Sequence, residues 1–171
     1  ICYEALKNIR TREVVVETPL APATCRTIDT DLVVIPILRA GVGMLDGLLD
    51  LLPTARVGFV GLYRDEETKE PVTYYERFPP QFKGGTCNVI APMQATGGST
   101  VASRGLLHGQ GAEGNNLICI VTSPQGSEGV ESAHPDVPTF AASIDAGHDE
   151  RSYIVPGLGD AGDRLFGTSH H

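Results

Sequence analysis

The chain of 171 residues is 41% hydrophobic and 20% charged, which is typical of a globular protein and excludes disordered and fibrous classes. Its length predicts a single domain over residues 1–171. A net charge of −8 argues against a nucleic-acid partner, and the longest apolar run, residues 32–38, is too short for a membrane span, so we expect a small-molecule ligand.

Strand-like apolar runs alternate with helical patterns along the chain. The predicted strands lie at residues 13–17, 32–38, 57–63, 87–93, 116–122 and 139–144. The predicted helices lie at residues 42–52, 99–110 and 126–133. Nearly continuous Val, Ile and Leu in several strands is the pattern of parallel strands covered on both faces. The alternation therefore predicts an α/β fold, a mostly parallel sheet with helices on both faces and a ligand at the carboxyl ends of its strands.

Two further features concern the periphery of the fold. A strand at 73–78 follows a charged turn at 65–70, which predicts a protruding hairpin arm. The chain opens at Ile1 with the spacing of a helix entered partway, so we expect the natural protein to begin earlier.

The cysteine pattern bears on the cellular compartment. The four cysteines are too scattered for a zinc site, and a disulfide framework is unusual for a domain of this size without a secretory leader. We therefore expect free thiols in a reducing cytoplasm.

The first candidate loop is at the end of segment 33–41, where an apolar strand is followed by Arg39, Ala40 and Gly41. Small residues let a diphosphate approach the backbone amides, and an arginine adds charge-assisted hydrogen bonds. A surface arginine at a strand end explains Arg39 equally well. A dinucleotide fingerprint starting at Gly41 is disfavoured because its third glycine is replaced by Asp46.

The second candidate loop, residues 61–65, is a strand that runs out into a polar turn. Arg64 could meet the same diphosphate from the other side. The alternative is a solvated ion pair with Asp65 or Glu66, which would contribute little to stability.

The third candidate loop spans residues 88–100 and places Thr-Gly-Gly-Ser between a strand and a helix. Unpaired amides at a helix N-terminus, with the hydroxyls of Thr96, Ser99 and Thr100, make a cradle for a monophosphate. The lysine of a nucleoside triphosphate loop is absent. The alternative is a plain Ser or Thr helix cap, with glycines that serve only the turn.

The fourth candidate loop spans residues 153–167 and is dense in glycine. Its glycines match the dinucleotide fingerprint formally, but the chain ends nine residues after Gly162, so the required helix and strand are not expected to follow. Such a loop suits recognition of a small flat base by main-chain groups.

With these four loops the sequence resembles the uracil phosphoribosyltransferases, and the resemblance runs from about residue 13 onward. The matching blocks are Ile-Pro-Ile-Leu-Arg-Ala-Gly at 35–41, Gly-Leu-Tyr-Arg-Asp at 61–65, Ala-Thr-Gly-Gly-Ser at 95–99, Ala-His-Pro-Asp-Val at 133–137, and residues 153–168. The resemblance implies a type I phosphoribosyltransferase fold with a C-terminal base-recognition loop. It also implies pyrimidine salvage, in which phosphoribose moves from 5-phosphoribosyl diphosphate (PRPP) to N1 of uracil to give UMP and diphosphate.

The resemblance further implies site residues and partners. By this resemblance, the catalytic residues are Arg39, Arg64 and Asp160. PRPP binding falls to these three and to Pro92, Met93, Ala95, Thr96, Gly97, Gly98 and Ser99. Uracil binding falls to Ile154, Gly159, Asp160 and Ala161. The family uses Mg²⁺ carried in with PRPP rather than a protein-held metal, forms homodimers or larger homo-oligomers, and in some members responds to GTP.

The chain departs from the family pattern within the third loop. Ala91 replaces an aspartate expected to bind the ribose hydroxyls, and Gln94 replaces a leucine. Residues 123–126 and 146–148 also differ, and the family's chain starts earlier, so we expect this sequence to lack an N-terminal segment that the family carries. Because of Ala91, a rival hypothesis is a catalytically weakened homologue that acts as a UMP- or PRPP-binding or regulatory protein.

Overall fold

The fold is built on a central mixed sheet, and the computed structural model describes residues 1–65, 68, 70–80, 85–112 and 114–168, without the side chain of Arg64. The strands are β1 (Thr11–Glu17), β2 (Pro22–Ile28), β3 (Leu32–Leu38), β4 (Arg56–Val57), β5 (Phe59–Arg64), β6 (Pro71–Arg77), β7 (Thr86–Ile90), β8 (Met93–Gln94), β9 (Gly114–Thr122), β10 (Thr139–Ile144), β11 (Gly147–His148) and β12 (Ile154–Val155). The helices are α1 (Cys2–Leu6), a 3₁₀ helix (Ala40–Met44), α2 (Leu45–Leu49), α3 (Gly98–Gly109), α4 (Pro124–Ala133) and α5 (Ala161–Phe166).

The strand order of the central sheet is β10-β9-β7-β3-β5-β6, with β4 beside β3 and β8 beside β9. Neighbouring strands are parallel except for β5 and β6, which form an antiparallel hairpin. The predicted α/β fold with a mostly parallel sheet is confirmed. The hairpin is the predicted arm, and residues 66, 67 and 69 of its charged turn lie outside the described residues.

Alternate side chains of β3 enter two separate apolar clusters. Val33 and Ile35 pack in a cluster that includes Leu107 of α3 and Val130 of α4. Val34 packs on the opposite face, in a cluster that includes residues of α1 and α2. Because successive side chains of a strand point to opposite faces, one continuous apolar strand supports helices on both sides of the sheet.

Several predicted elements differ in extent from the observed ones. The helix expected at 42–52 is a 3₁₀ turn followed by the short α2, since Gly43 and Gly47 disfavour a regular helix. The strand expected at 87–93 ends at Ile90, because Pro92 has no N–H for the sheet. The sequence did not predict β2, which begins with a proline and pairs with β1 in a separate two-stranded sheet.

None of the helices in the described ranges is long and apolar enough to cross a membrane.

The close approach of the chain behind β3 generates a stability prediction. A Cβ at Gly41 would lie 2.6 Å from the carbonyl oxygen of Ile90, whereas a Cβ at Gly47 meets nothing within 4 Å. We expect Gly41→Ala to lower the free energy of unfolding by about 1–3 kcal/mol, through overpacking. The matched Gly47→Ala variant should raise it by about 0.5–1 kcal/mol, because alanine is the better helix former. Urea denaturation measures both, and equal midpoints for the two variants would contradict the packing described.

Candidate active site

A cleft opens where the connections of β3 and β7 leave the sheet in opposite directions. From β3 the chain passes through α2 to β5 on one side, and from β7 it passes through α3 to β9 on the other. Crevices of this kind form at the carboxyl ends of parallel strands and are the usual ligand sites of such sheets. The cleft has a volume of about 420 Å³, which suits a small organic ligand.

The cleft is lined by residues from all four predicted loops. Among the predicted binding residues, those in the lining are Arg39, Pro92, Met93, Ala95, Thr96, Gly97, Gly98, Ser99, Ile154, Gly159, Asp160 and Ala161. The side chain of Arg64 lies outside the described part of the chain, although its neighbours Leu62 and Tyr63 line the cleft. The tertiary fold thus brings together four loops that are spread over residues 33–167 of the chain. In the described ranges, the charged residues of the lining are Arg39 and Asp160.

The N-terminus of α3 faces this cleft without a side-chain cap. Its N-cap is Gly97, which has a left-handed φ of 80°, and the neighbouring hydroxyl of Thr96 accepts from the amide of Gly98 at 3.5 Å. The N-cap position is therefore occupied by a glycine and not by the Ser or Thr of the alternative. The first residues of α3 line the cleft together with Thr96, and a helix N-terminus at a cleft wall favours a phosphate group.

Arg39 is held at the cleft by two residues near the C-terminus. Its Nη2 donates to Asp163 Oδ1 at 2.8 Å, and its Nη1 donates to Thr168 Oγ1 at 2.6 Å. The hydroxyl of Thr168 in turn donates to the same Asp163 oxygen at 2.7 Å. The bond to Asp163 raises the pKa of the guanidinium, so Arg39 stays a cation. Its side chain remains 49% exposed, which leaves donors for an anionic ligand.

Sequence reasoning missed the roles of Asp163 and Thr168. Both lie inside the matching block at 153–168, which was the available signal. Their partner is more than 120 residues away in the chain, so no local pattern pairs them with Arg39. Tyr74 of the arm and Ser152 also line the cleft and were not predicted.

The fourth loop is organised by backbone contacts and by its own aspartates. Ile154 is 2% exposed and pairs with His148 between β12 and β11. The amide of Gly157 donates to Asp145 Oδ2 at 2.9 Å. Asp160 caps α5 by accepting from the amide of Asp163 at 2.8 Å. Gly162 lies within the short α5, with no further strand after it in the described residues, and β12 lies outside the central sheet, so the dinucleotide motif lacks its context.

The departures in the third loop have clear positions. Ala91 lines the cleft just beyond the end of β7, so a methyl group stands where the family pattern has a carboxylate. Gln94 is 3% exposed, and its amide nitrogen donates to the carbonyl of Gly126 at 2.9 Å. Gln94 also belongs to the cleft lining, and its side chain is held in the interior by this bond to α4.

Within the described ranges, no group of three His, Cys, Asp or Glu side chains is arranged to hold a metal ion. The acidic group of the cleft lining is Asp160.

Comparison with protein families and curated relatives gives consistent matches. The family model described as uracil phosphoribosyltransferase matches residues 1–168. The chain is 49% identical to the uracil phosphoribosyltransferase of Dictyoglomus thermophilum over 167 residues, covering 97% of this chain and 81% of that relative. It is 50% identical to the enzyme of the same name from Symbiobacterium thermophilum over 169 residues, covering 98% of this chain and 81% of that one.

Solved structures agree with these matches. The AQ2163 protein from Aquifex aeolicus superposes with a TM-score of 0.91 at 37% sequence identity, covering 99% of this chain and 82% of that one. A purine phosphoribosyltransferase from Pyrococcus horikoshii gives a TM-score of 0.57 at 16% identity, covering 69% of this chain and 72% of its own, and this likeness shows the type I fold alone. The family match over residues 1–168 and the identity to curated relatives show that the chain belongs to the uracil phosphoribosyltransferase family.

Proposed function

We propose that the protein transfers phosphoribose from PRPP to N1 of uracil and so makes UMP for pyrimidine salvage. The observation that carries the proposal is a single cleft with an uncapped helix N-terminus, a cationic Arg39 and the glycine-rich C-terminal loop on its walls. The helix N-terminus suits the 5-phosphate of PRPP, Arg39 suits its diphosphate, and the glycine-rich loop suits a small base.

The 5-phosphate of PRPP belongs at the amino end of α3. Gly97 allows a close approach because a larger residue would have to adopt its φ of 80°. The loop from Pro92 to Ser99 would surround the phosphate with amides and hydroxyls, since most of its residues line the cleft.

The diphosphate belongs beside Arg39, and Arg64 is proposed to contact it from the neighbouring strand. A guanidinium already fixed by Asp163 and Thr168 loses little conformational freedom when it binds an anion. Its charge then offsets the charge that develops on the leaving group.

The base belongs against the fourth loop. Ile154, Gly159 and Ala161 line that side of the cleft, so main-chain donors and acceptors could bind the edge of uracil. Asp160 lies between this loop and the PRPP site, where it serves both substrates in the proposal.

In the proposed reaction the bond between C1 of ribose and the diphosphate oxygen breaks, and its electron pair leaves with diphosphate. The lone pair of uracil N1 forms the new bond to C1, and the proton of N1 is released. No histidine lies in the described cleft lining, so the proton is assigned to no side-chain base. The protein contributes by aligning N1 with C1 and by neutralising the leaving group.

Mg²⁺ is proposed to enter bound to PRPP, where it would offset charge on the diphosphate oxygens. Its ligands would come from PRPP and water, and Asp160 is the carboxylate of the described cleft lining that could bind one of those waters.

The substrate assignment and the effect of Ala91 are tested in one assay. Purified protein with PRPP, Mg²⁺ and uracil should release UMP, whereas adenine, guanine, hypoxanthine and orotate should not react. Ala91→Asp should raise the turnover rate by about one to three orders of magnitude, because a carboxylate hydrogen bond to the ribose is worth about 2–4 kcal/mol in the transition state.

Two outcomes would contradict this proposal. Reaction of a purine or orotate in place of uracil would show that the base was misassigned. Calorimetric binding of PRPP or UMP without turnover in either form would favour the binding or regulatory protein instead.

The role of Arg39 is tested by its removal. Arg39→Met should lower kcat/KM by about 100- to 1,000-fold, since it removes one charged group that stabilises the transition state. Arg10, whose exposed side chain pairs with Asp29, offers a matched control, and Arg10→Met should leave kcat/KM within about twofold of the parent. Equal losses in both variants would contradict the assignment.

A homo-oligomer is also proposed. In the described part, β1 and β2 pair with each other and with no third strand. Val15 is 68% exposed and Leu20 is 97% exposed on this hairpin. Since an isolated two-stranded hairpin is marginally stable, a second copy of the chain is the proposed cover.

Light scattering tests the assembly. We expect a mass at least twice that of one chain, and a Val15→Glu, Leu20→Glu double variant should shift the protein towards the monomer by placing charges in the interface. A monomeric parent protein would contradict the proposal. A response to GTP stays a prediction from the family resemblance, and a cytoplasmic location stays a prediction from the cysteine pattern.

A further inference from the structure

The rear of the phosphate loop rests on the first turn of α4, outside the cleft. The carbonyl of Gln94 accepts from the amide of Ser123 and from the hydroxyl of Thr122, both at 3.2 Å. The hydroxyl of Ser123 donates to the carbonyl of Ala95. The same hydroxyl caps α4 by accepting from the amide of Gly126 at 3.0 Å. One serine therefore joins the loop to the helix.

The side chain of Gln94 adds a second tie. Its Nε2 donates to the carbonyl of Gly126 at 2.9 Å, and the residue is 3% exposed. Its Oε1 is buried and has no hydrogen-bond partner within the described ranges. A buried carbonyl oxygen without a partner lowers stability, so the fold retains this glutamine at a cost that an apolar side chain would avoid.

Glycines let the helix and the loop approach each other. A Cβ at Gly126 would lie 2.5 Å from the carbonyl oxygen of Gln94, and a Cβ at Gly129 would lie 2.8 Å from that of Thr96. Backbone therefore packs on backbone along the whole rear of the loop. The contact leaves the loop little room to shift.

We propose that the first turn of α4 is a positioning element for PRPP, with Gln94 and Ser123 as positioning residues. By holding the carbonyls of Gln94 and Ala95 from behind, they orient the following amides towards the cleft. Neither residue needs to touch the phosphate. The inference rests on the proposed function, because PRPP is its probe.

The test compares two buried amides. Gln94→Leu should raise the calorimetric Kd for PRPP by about three- to tenfold, the equivalent of one hydrogen bond, without lowering the melting temperature. Asn115→Leu is the matched control. Within the described ranges Asn115 is also buried with an unpartnered side-chain oxygen, but its backbone pairs with Cys87 on β7, towards the amino ends of the strands and away from the phosphate loop. The Kd of the Asn115→Leu variant for PRPP should equal that of the parent protein.

A second pair of variants, at Ser123, tests the inference independently if Gln94→Leu does not fold. Ser123→Ala should also raise the Kd for PRPP, and Ser123→Thr, which keeps the hydroxyl, should restore it. In the enzyme assay the KM for PRPP should rise in Gln94→Leu and in Ser123→Ala, while the KM for uracil stays constant in both. A merely structural role would instead lower the melting temperature without this split.

The outcomes separate this inference from the proposed function. A parent protein that binds no PRPP overturns the proposed function and the inference with it. A parent protein that binds PRPP, with an unchanged Kd in Gln94→Leu and Ser123→Ala, overturns the inference alone. An equal rise in Asn115→Leu also overturns it, because the effect would then be general to buried amides.

Discussion

The parallel pairing of β3 with β7 at the centre of the sheet is the constraint on which the site depends. The register runs from Leu32 opposite Thr86 to Pro36 opposite Ile90, so β7 ends two residues before β3, which continues to Leu38. Both are covered by helices, which removes their backbone hydrogen bonds from competition with water. The loop after each strand therefore starts from a fixed point on one edge of the sheet.

The C-terminal segment links the two ends of the cleft. The loop that contains Ile154 and Gly159 forms one wall, and α5 begins directly after it. Asp163 and Thr168 then bind Arg39, which lies beyond the end of β3. Since Asp160 caps the helix that carries Asp163, the geometry of the base loop and that of the arginine depend on the same short helix.

The third loop combines a helix N-terminus that suits a phosphate group with an altered polar group. The helix N-terminus depends on backbone amides, which a side-chain replacement nearby does not remove. Ala91 changes instead a side-chain contact expected with the ribose. The expected consequence is unequal, because the proposed phosphate site relies on many backbone dipoles whereas the proposed ribose contact loses its carboxylate in this loop.

Local patterns in the sequence determined much of this protein. Continuous apolar runs identified β3, β7, β9 and β10, because strands buried on both faces need apolar residues at every position. Glycine and hydroxyl residues identified the loops of the cleft, because helix termini and tight turns require them. Only the tertiary structure decided that Gly97, and no hydroxyl residue, caps α3, that Arg39 pairs with Asp163, and that Gln94 turns inward to α4. Those outcomes depend on contacts between residues distant in the chain, and packing, rather than local propensity, selects among the conformations that each residue could adopt.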